Sequence, residues 1–307
     1  MSLTSKKKAH NVEEQLAAVN QSQRERLFHI DFKLYFLGSV NRTDLVSRFG
    51  IKEAAASRDL SLYKELAPNN IEYDTKAKTY IQREGFTPLF EYTGSQTFAA
   101  LLHGLGDDFV GSQKPLVPCE APTQLNFPNI ATLACITRAI HNNQGLKFHY
   151  RSLSSGLSER EIVPFALIDN GLRWHVRGFD RAYDRFGDFM INRIEAPQLI
   201  NEEIPEEQTK VADNQWNRIV DLQIVPHPRL EHPETIAFEY GMRGGQLVMQ
   251  VRAALAGYLL RKWNVDCSTS HNLNTQETHL WLKNPQTLYG VISAHLAPGY
   301  DLQRGDN

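Results

Sequence analysis

Between Gln23 and Gln82 the chain presents three helical patterns and a hairpin pattern in a fixed order, and few folds accommodate that succession. Leu27, Ile30, Leu34 and Leu37 recur at spacings of three, four and three, which places them on one helical face and predicts a helix ending near Gly38. Asn41 is a good N-cap for a short second helix, with Leu45, Val46 and Phe49 turned inward and Gly50 in the closing position where a left-handed residue is favoured. A third helix is predicted over 53–67, with Ala56, Leu60, Tyr63 and Ala67 as its inward stripe and Pro68 ending it. Two short alternating runs, 71–74 and 79–82, flank a polar turn and read as a hairpin.

Helix, glycine turn, helix and hairpin over 22–87 form the pattern of a winged helix-turn-helix. If Ala56, Leu60, Tyr63 and Ala67 face the core, the opposite side of the third helix carries Lys52, Ala54, Ala55, Ser57, Arg58 and Lys64, mostly in the half that enters a major groove. Small residues at 54 and 55 permit close backbone approach to the bases, and Arg58 suits a bidentate contact to a guanine edge or a clamp on a phosphate. Arg42 at the second helix and Lys76 and Lys78 at the hairpin tip complete the candidate DNA contacts. The competing reading pairs Arg58 with Asp59 at the surface and makes the unit a protein-docking module. Charge favours the first reading modestly: residues 1–87 hold 14 Lys and Arg against 11 Asp and Glu, although the whole chain carries a net charge of −2.

The run LVSRFGIKEAAASRDLSLYKEL resembles the helix-turn-helix of DeoR-type regulators, in which an Arg-Asp-Leu triplet, here Arg58-Asp59-Leu60, closes the recognition segment. That family often has two arginines before the Asp; Ser57 replaces the first here.

The 307 residues suffice for two or three domains, and a composition 41% hydrophobic and 22% charged is that of a globular protein. No stretch reaches the length of a membrane span and the start MSLTSKKKAH lacks the apolar core of a signal peptide, so a cytoplasmic location without membrane association is expected. Cys119, Cys135 and Cys267 form no CxxC pair, and buried reduced thiols are expected. Residues 1–21 read as a polar arm and 88–128, rich in proline and glycine, as a linker with one short helix over 95–105.

Asn129 is placed to cap a helix with Leu133, Ile136 and Ile140 on one face, after which the period changes to strand-like runs at 146–151, 161–168, 172–179 and 188–194. Asn170-Gly171 signals a two-residue hairpin turn. Alternation puts Leu172, Trp174 and Val176 on one face, Arg173, His175, Arg177 and Phe179 on the other, and gives Phe189, Ile191 and Arg193 a common side. Arginines, a histidine and aromatics converging on a small bent sheet suit an anion flanked by planar groups.

The segment from Leu146 to Ile194 resembles a WYL domain: a strand ending in Tyr150, then Arg160 and Pro164, the naming triplet as Trp174-His175-Val176, Arg177-Gly178-Phe179-Asp180, and Arg193. His175 and Val176 depart from the name while keeping a planar hydrogen-bonding ring and an apolar contact. The resemblance implies an Sm-like sheet over 129–210 binding a nucleotide or single-stranded nucleic-acid effector through Tyr150, Ser152, Arg160, His175, Arg177 and Arg193. Winged helix, WYL domain and a C-terminal WCX extension, here the α+β pattern of 211–307, is the order found in WYL transcriptional regulators, whose extension assists dimerisation. In layout the chain is similar to BrxR- and CapW-type repressors of anti-phage systems.

The expectation is an α+β multidomain repressor, a homodimer on an inverted-repeat operator, with no catalytic residue, metal or cofactor. The alternatives are an activator, or a nucleic-acid-processing enzyme accessory using the basic sheet. Two constellations are set aside: His227 and His232 in VPHPRLEHP, expected on an exposed loop without accompanying metal ligands, and the glycines of 104–108 and 242–246, outside the context a dinucleotide site needs.

Overall fold

Asn20 accepts the N–H of Gln23 and starts α1 (Gln21–Leu37), which stops where Gly38 turns left-handed at φ 85° and bonds back to Leu34. The computed structural model describes Leu16, 19–103 and 125–301, and its contacts fall into two units: Met1–Glu159 with Ile191–Asn201, and Arg160–Met190 with Glu202–Asn307.

In the first unit, β1 (Ser39–Val40) leads into α2 (Arg42–Phe49), started by a capping box in which the side chains of Asn41 and Asp44 each accept the other's backbone N–H. Gly50, φ 63°, closes α2 and redirects the chain into α3 (Glu53–Leu66). A residue with a Cβ would be strained in that left-handed turn. The wing is β2 (Ile71–Asp74) and β3 (Thr79–Gln82), with β1 on the other side of β3. Leu27, Ile30, Leu34, Leu45, Ala56, Leu60 and Tyr63 are fully buried in one cluster, with Val46 and Phe49 half-buried at its margin, and Leu37 is half-buried at the end of α1.

A second stripe on α1 was hidden behind the first. Phe28 and Phe36 lie against Phe90 and Tyr92, both ring pairs at 5.2 Å, and Tyr35 stacks on Phe86 at 5.3 Å. The start of the expected linker is therefore packed on α1. It continues into α4 (Gly94–His103), and the rest of its glycines and prolines up to Pro122, with Cys119, lie outside the described residues, as does most of the polar arm.

Between the two stripes sits Asp31, wholly buried. It accepts from the Tyr63 hydroxyl at 2.5 Å, the Tyr92 hydroxyl at 2.7 Å and the Leu89 N–H at 3.1 Å. Asn70 donates to the Tyr63 oxygen at 3.2 Å and to the Thr87 carbonyl at 2.7 Å.

α5 (Ile130–His141), capped by Asn129 as expected, is buried on nearly all sides. Thr137 Oγ1 donates to the Phe36 carbonyl at 2.8 Å and Arg138 Nη1 to the Tyr35 carbonyl at 2.6 Å, satisfying carbonyls that the end of α1 leaves open. Its other side meets β8 (Ile194–Ile200), where the Cys135 thiol donates to the Pro197 carbonyl at 3.5 Å. β8 pairs antiparallel with β4 (Gly145–Ser152). β5 (Gly156–Asp169) is common to both units, its residues up to Glu159 belonging to the first.

In the second unit β5 pairs with β6 (Trp174–Asp180) and β6 with β7 (Arg185–Met190), both antiparallel. The Asn170-Gly171 loop is longer than the two residues expected. Asp169 pairs with Trp174, and the loop closes by a bond from the Asn170 N–H to the Arg173 carbonyl at 3.2 Å. Asn170 Oδ1 accepts the N–H groups of Leu172 and Arg173, so its side chain spends itself inside a wider turn. After α6 (Asn214–Asn217) comes a sheet in the order β10-β9-β12-β11 from β9 (Ile219–Pro226), β10 (Leu247–Arg252), β11 (Val265–Asp266) and β12 (Leu280–Leu282). α7 (Pro233–Glu239) and α8 (Ala253–Lys262) close its core. A Cβ at Gly257 would lie 1.7 Å from the Ser293 carbonyl oxygen, so α8 and the turn at Ile292–Leu296 touch backbone to backbone. Cys135 and Cys267 are buried and unpaired. No helix among the described residues is long and apolar enough to cross a membrane.

Burial pushes the Asp31 carboxyl up from 3.8 to about 6, against the hydroxyl and N–H donors that favour its charge. Because the folded-state value is raised, Asp31 favours folding most below about pH 4 and loses that contribution as pH rises through about 6. Asp31→Asn removes the titration. The stability difference between wild type and variant, read by urea unfolding, is expected to shrink by up to about 3 kcal/mol between pH 4 and pH 7.

Candidate functional site

Successive residues on a helix turn by about 100°, so the Arg58-Asp59-Leu60 triplet points three ways. Leu60 is fully buried in the core. Asp59, 2% exposed, points at α1, where it accepts from Arg26 Nε at 2.6 Å and from Gln23 Nε2 at 3.0 Å. Arg58 is left on the outside and makes no hydrogen bond or ion pair with any described residue. The alternative in which Arg58 and Asp59 pair at the surface is therefore overturned, because the carboxylate is already taken by Arg26.

Lys52, Ala54 and Lys64 are exposed beside Arg58, and Ala55 and Ser57 are half-buried. Lys52 stands at the N-cap of α3 without a side-chain cap bond. Arg42 is exposed at the start of α2, with Glu53 its nearest carboxylate at 3.9 Å. At the wing tip Asp74 Oδ1 accepts the N–H groups of Lys76 and Ala77 at 2.8 and 3.0 Å, which folds the turn and leaves the side chains of Lys76 and Lys78 exposed. The cross-strand pair Tyr73 and Tyr80, rings 4.9 Å apart, stiffens the wing.

The central sheet departs from the sequence reading. Every residue of β6 is buried, so His175 and Arg177, each 5% exposed, do not line an open basic face. Arg177 donates through Nε to Asp213 at 2.7 Å and through Nη1 to Asp188 at 2.8 Å, and Tyr258 donates to the other oxygen of Asp188 at 3.1 Å. Burial opposes the charge on Arg177, but its two carboxylates outweigh that and hold its pKa above the ordinary value. The His175 ring packs 5.5 Å from that of Tyr258. Leu172 lies in the loop before β6, 65% exposed, and Ile191 and Arg193 fall in a 3-10 turn rather than on a strand, so strand alternation does not govern them.

Arg193 is half-exposed at the end of that turn, and Tyr150 half-buried on β4 opposite Ile194. Ser152 Oγ accepts the N–H groups of Ser154 and Ser155 at 3.2 and 3.4 Å, holding the turn into β5. Arg160 lies over the Tyr183 ring at 4.7 Å. Tyr150, Ser152 and Arg193 thus belong to the first unit, and Arg160, His175 and Arg177 to the second.

His227 is also a correction, since it is fully buried rather than on an exposed loop. Its Nδ1 accepts the Arg229 N–H at 3.2 Å, which makes Nε2 the donor to Asp266 Oδ2 at 3.1 Å. His232 is exposed beside Glu234, and no group of three metal-ligating side chains occurs among the described residues.

Comparison with known proteins adds to this geometry. Residues 22–104 match the BrxR transcriptional regulator winged helix-turn-helix domain, 131–199 the WYL domain, and 219–288 the BrxR transcriptional regulator C-terminal dimerization domain. The DNA-binding transcriptional repressor CapW of Escherichia coli (strain KTE188) is 30% identical over 280 residues, 88% of this chain and 92% of that protein. CapW of Pseudomonas aeruginosa is 31% identical over 280 residues, with the same shares, and CapW of Stenotrophomonas maltophilia 30% identical over 279 residues, 87% and 91%. The chain belongs to the BrxR and CapW family of WYL-domain regulators. Among solved structures, the proteasome accessory factor B/C of Arthrobacter aurescens aligns over 94% of this chain and 49% of that one, at 15% identity and a TM-score of 0.25, too low to bear on the fold.

Within this family frame, the residues that sequence reasoning missed are those that hold the candidate contacts in place: Gln23, Arg26 and Asp59, and Asp188, Asp213 and Tyr258 around Arg177. The Asp of the Arg-Asp-Leu triplet was visible; its partner 33 positions earlier had no local signal. Removing Arg177 leaves Asp213, 1% exposed, and Asp188 as uncompensated buried charges. Arg177→Ala is expected to lower stability by about 3–5 kcal/mol in urea unfolding. A loss below about 1 kcal/mol would show that water replaces the guanidinium.

Proposed function

We propose that this chain is a sequence-specific DNA-binding transcriptional repressor that acts as a homodimer on an inverted-repeat operator. Its winged helix is assigned to 22–87, its WYL domain to 129–210 and its dimerising extension to 211–307. The observation that carries the reading is the exposed Arg58, which pairs with no described residue, on a helix whose neighbouring acid is locked inward. Lys52, Ala54, Ala55, Ser57 and Lys64 would share the major-groove face with Arg58, while Arg42, Lys76 and Lys78 would meet phosphates. The naming of the relatives as DNA-binding transcriptional repressors supports the same reading and favours a regulator over an enzyme. A cytoplasmic setting accords with it.

The WYL domain is proposed to sense a nucleotide or single-stranded nucleic acid, with Tyr150, Ser152, Arg160 and Arg193 as its first contacts. Arg177 and His175 act in that scheme from inside the sheet, as supports. Such an effector relieves repression only by binding the DNA-incompetent arrangement more tightly than the competent one. Control of an anti-phage defence operon follows from the resemblance to BrxR- and CapW-type repressors.

A gel-shift titration with the chain's own promoter region tests the first part. Arg58→Ala is expected to weaken binding by about 1–3 kcal/mol, the scale of one lost bidentate contact. Equal affinity of variant and wild type would remove Arg58 from the contact surface. For the second part, Arg193→Ala is expected to keep operator affinity while abolishing derepression in a promoter-reporter assay, and a variant that still responds fully refutes the pocket.

A further inference from the structure

A winged helix carried only by a proline- and glycine-rich linker, as the sequence suggests for 88–128, would reach half-sites at many separations. Here the C-terminal end of α1 is instead gripped directly by α5, within the first unit. Arg138 Nη1 donates to the Tyr35 carbonyl at 2.6 Å and Thr137 Oγ1 to the Phe36 carbonyl at 2.8 Å. The longer approach of Thr137, 3.1 Å to the Ala134 carbonyl, is the ordinary back-bond of a helical threonine. On the other side of the same turn the Gly38 carbonyl accepts the Gln82 N–H of the wing at 2.9 Å. Gly38 lies against the last turn of α5, where a Cβ would stand 3.4 Å from Asn142 Nδ2 and 3.6 Å from Arg138 Cδ. Two directed bonds, with a guanidinium at the negative end of the helix, fix an angle that apolar packing alone would leave free to pivot.

α1 has 17 residues, about 25 Å of rise, and holds α3 near its opposite end through Gln23 and Arg26 on Asp59. A tilt of roughly 10° at Gly38 would move that end by roughly 4 Å, more than the about 3.4 Å between successive base pairs. We infer that Arg138 and Thr137 are specificity-determining residues: by fixing the angle of α1 on α5 they set which separation between half-sites a pair of winged helices accepts. The inference rests on the inverted-repeat reading above and adds the residues that limit operator choice. They act through α1 on α3, so they are positioning residues rather than DNA contacts. A role in folding alone has a different signature. Loss of folded protein lowers affinity for every operator by one factor, whereas loss of a fixed angle changes the ratio between operators.

The test is a gel-shift titration of the full chain on duplexes carrying the inverted repeat footprinted in its own promoter region, with the spacer between half-sites native or changed by two base pairs in either direction. Wild type is expected to bind the altered spacers at least about 10-fold more weakly than the native one. The double variant Thr137→Val, Arg138→Ala is expected to keep native-spacer affinity within about 3-fold and to bring the ratio between spacers below about 3-fold. Arg138→Lys, which keeps a charged donor, is expected to retain most of the wild-type ratio. Circular dichroism checks folding, and should the double variant fail to fold, each single variant carries the same comparison with a smaller change in ratio. A wild type that protects a single half-site, or binds every spacer alike, overturns the inverted-repeat reading and the inference with it. A wild type that discriminates, beside folded variants that discriminate equally or lose affinity by one factor at every spacer, overturns the inference alone.

Discussion

The orientation of the candidate recognition surface depends on one buried ion pair. Hydrophobic burial of Ala56, Leu60 and Tyr63 fixes which stripe of α3 faces inward, but an apolar stripe tolerates some rotation about the helix axis. The Asp59 carboxylate removes that freedom, because it has to reach Arg26 and Gln23 on α1. A buried pair of this kind adds little net stability over a hydrophobic equivalent, yet it is costly to break from one side and so specifies a single geometry. Arg58, one position earlier, is then held outward.

α1 is the other half of that constraint. It carries Asp59's partners near its start, the wholly buried Asp31 in its middle, and at its end the two carbonyls capped by Thr137 and Arg138 of α5. α5 in turn rests on β8, so within this unit a continuous run of hydrogen-bonded and packed groups leads from the β4 and β8 pair to α3. Rigid elements in series of this kind transmit a displacement rather than absorbing it, provided that two discrete arrangements exist.

The N-terminal unit was legible because its signals are local. Asn41, Gly50 and the stripes at Leu27, Ile30 and Leu34 or Ala56, Leu60 and Tyr63 lie within a few residues of the structure they specify. The second face of α1 was not, since Phe28, Phe32 and Phe36 meet aromatics some sixty residues later in a segment whose prolines and glycines suggested a linker. The central sheet misled for a different reason. Alternation assigns sides correctly only where one face meets water, and β6 is covered on both, with Arg177 neutralised by acids from β7 and the N-cap of α6. A charged residue in a strand signals either a solvent face or a distant counter-ion, and the residue itself does not distinguish them. β1, β8 and β11 passed unnoticed, β1 and β11 being two residues each and β8 mostly exposed, with Pro197 in its middle.

The backbone contact between Gly257 and Ser293 has a consequence for association. Glycine inside a helix forgoes about 1 kcal/mol relative to alanine, and here its missing methyl lets the Ser293 carbonyl approach α8 where any side chain would be refused. A surface seated on such a joint has few conformations left to lose when another molecule lands on it. Association through it would be preorganised, with the ordering entropy met at folding rather than at encounter.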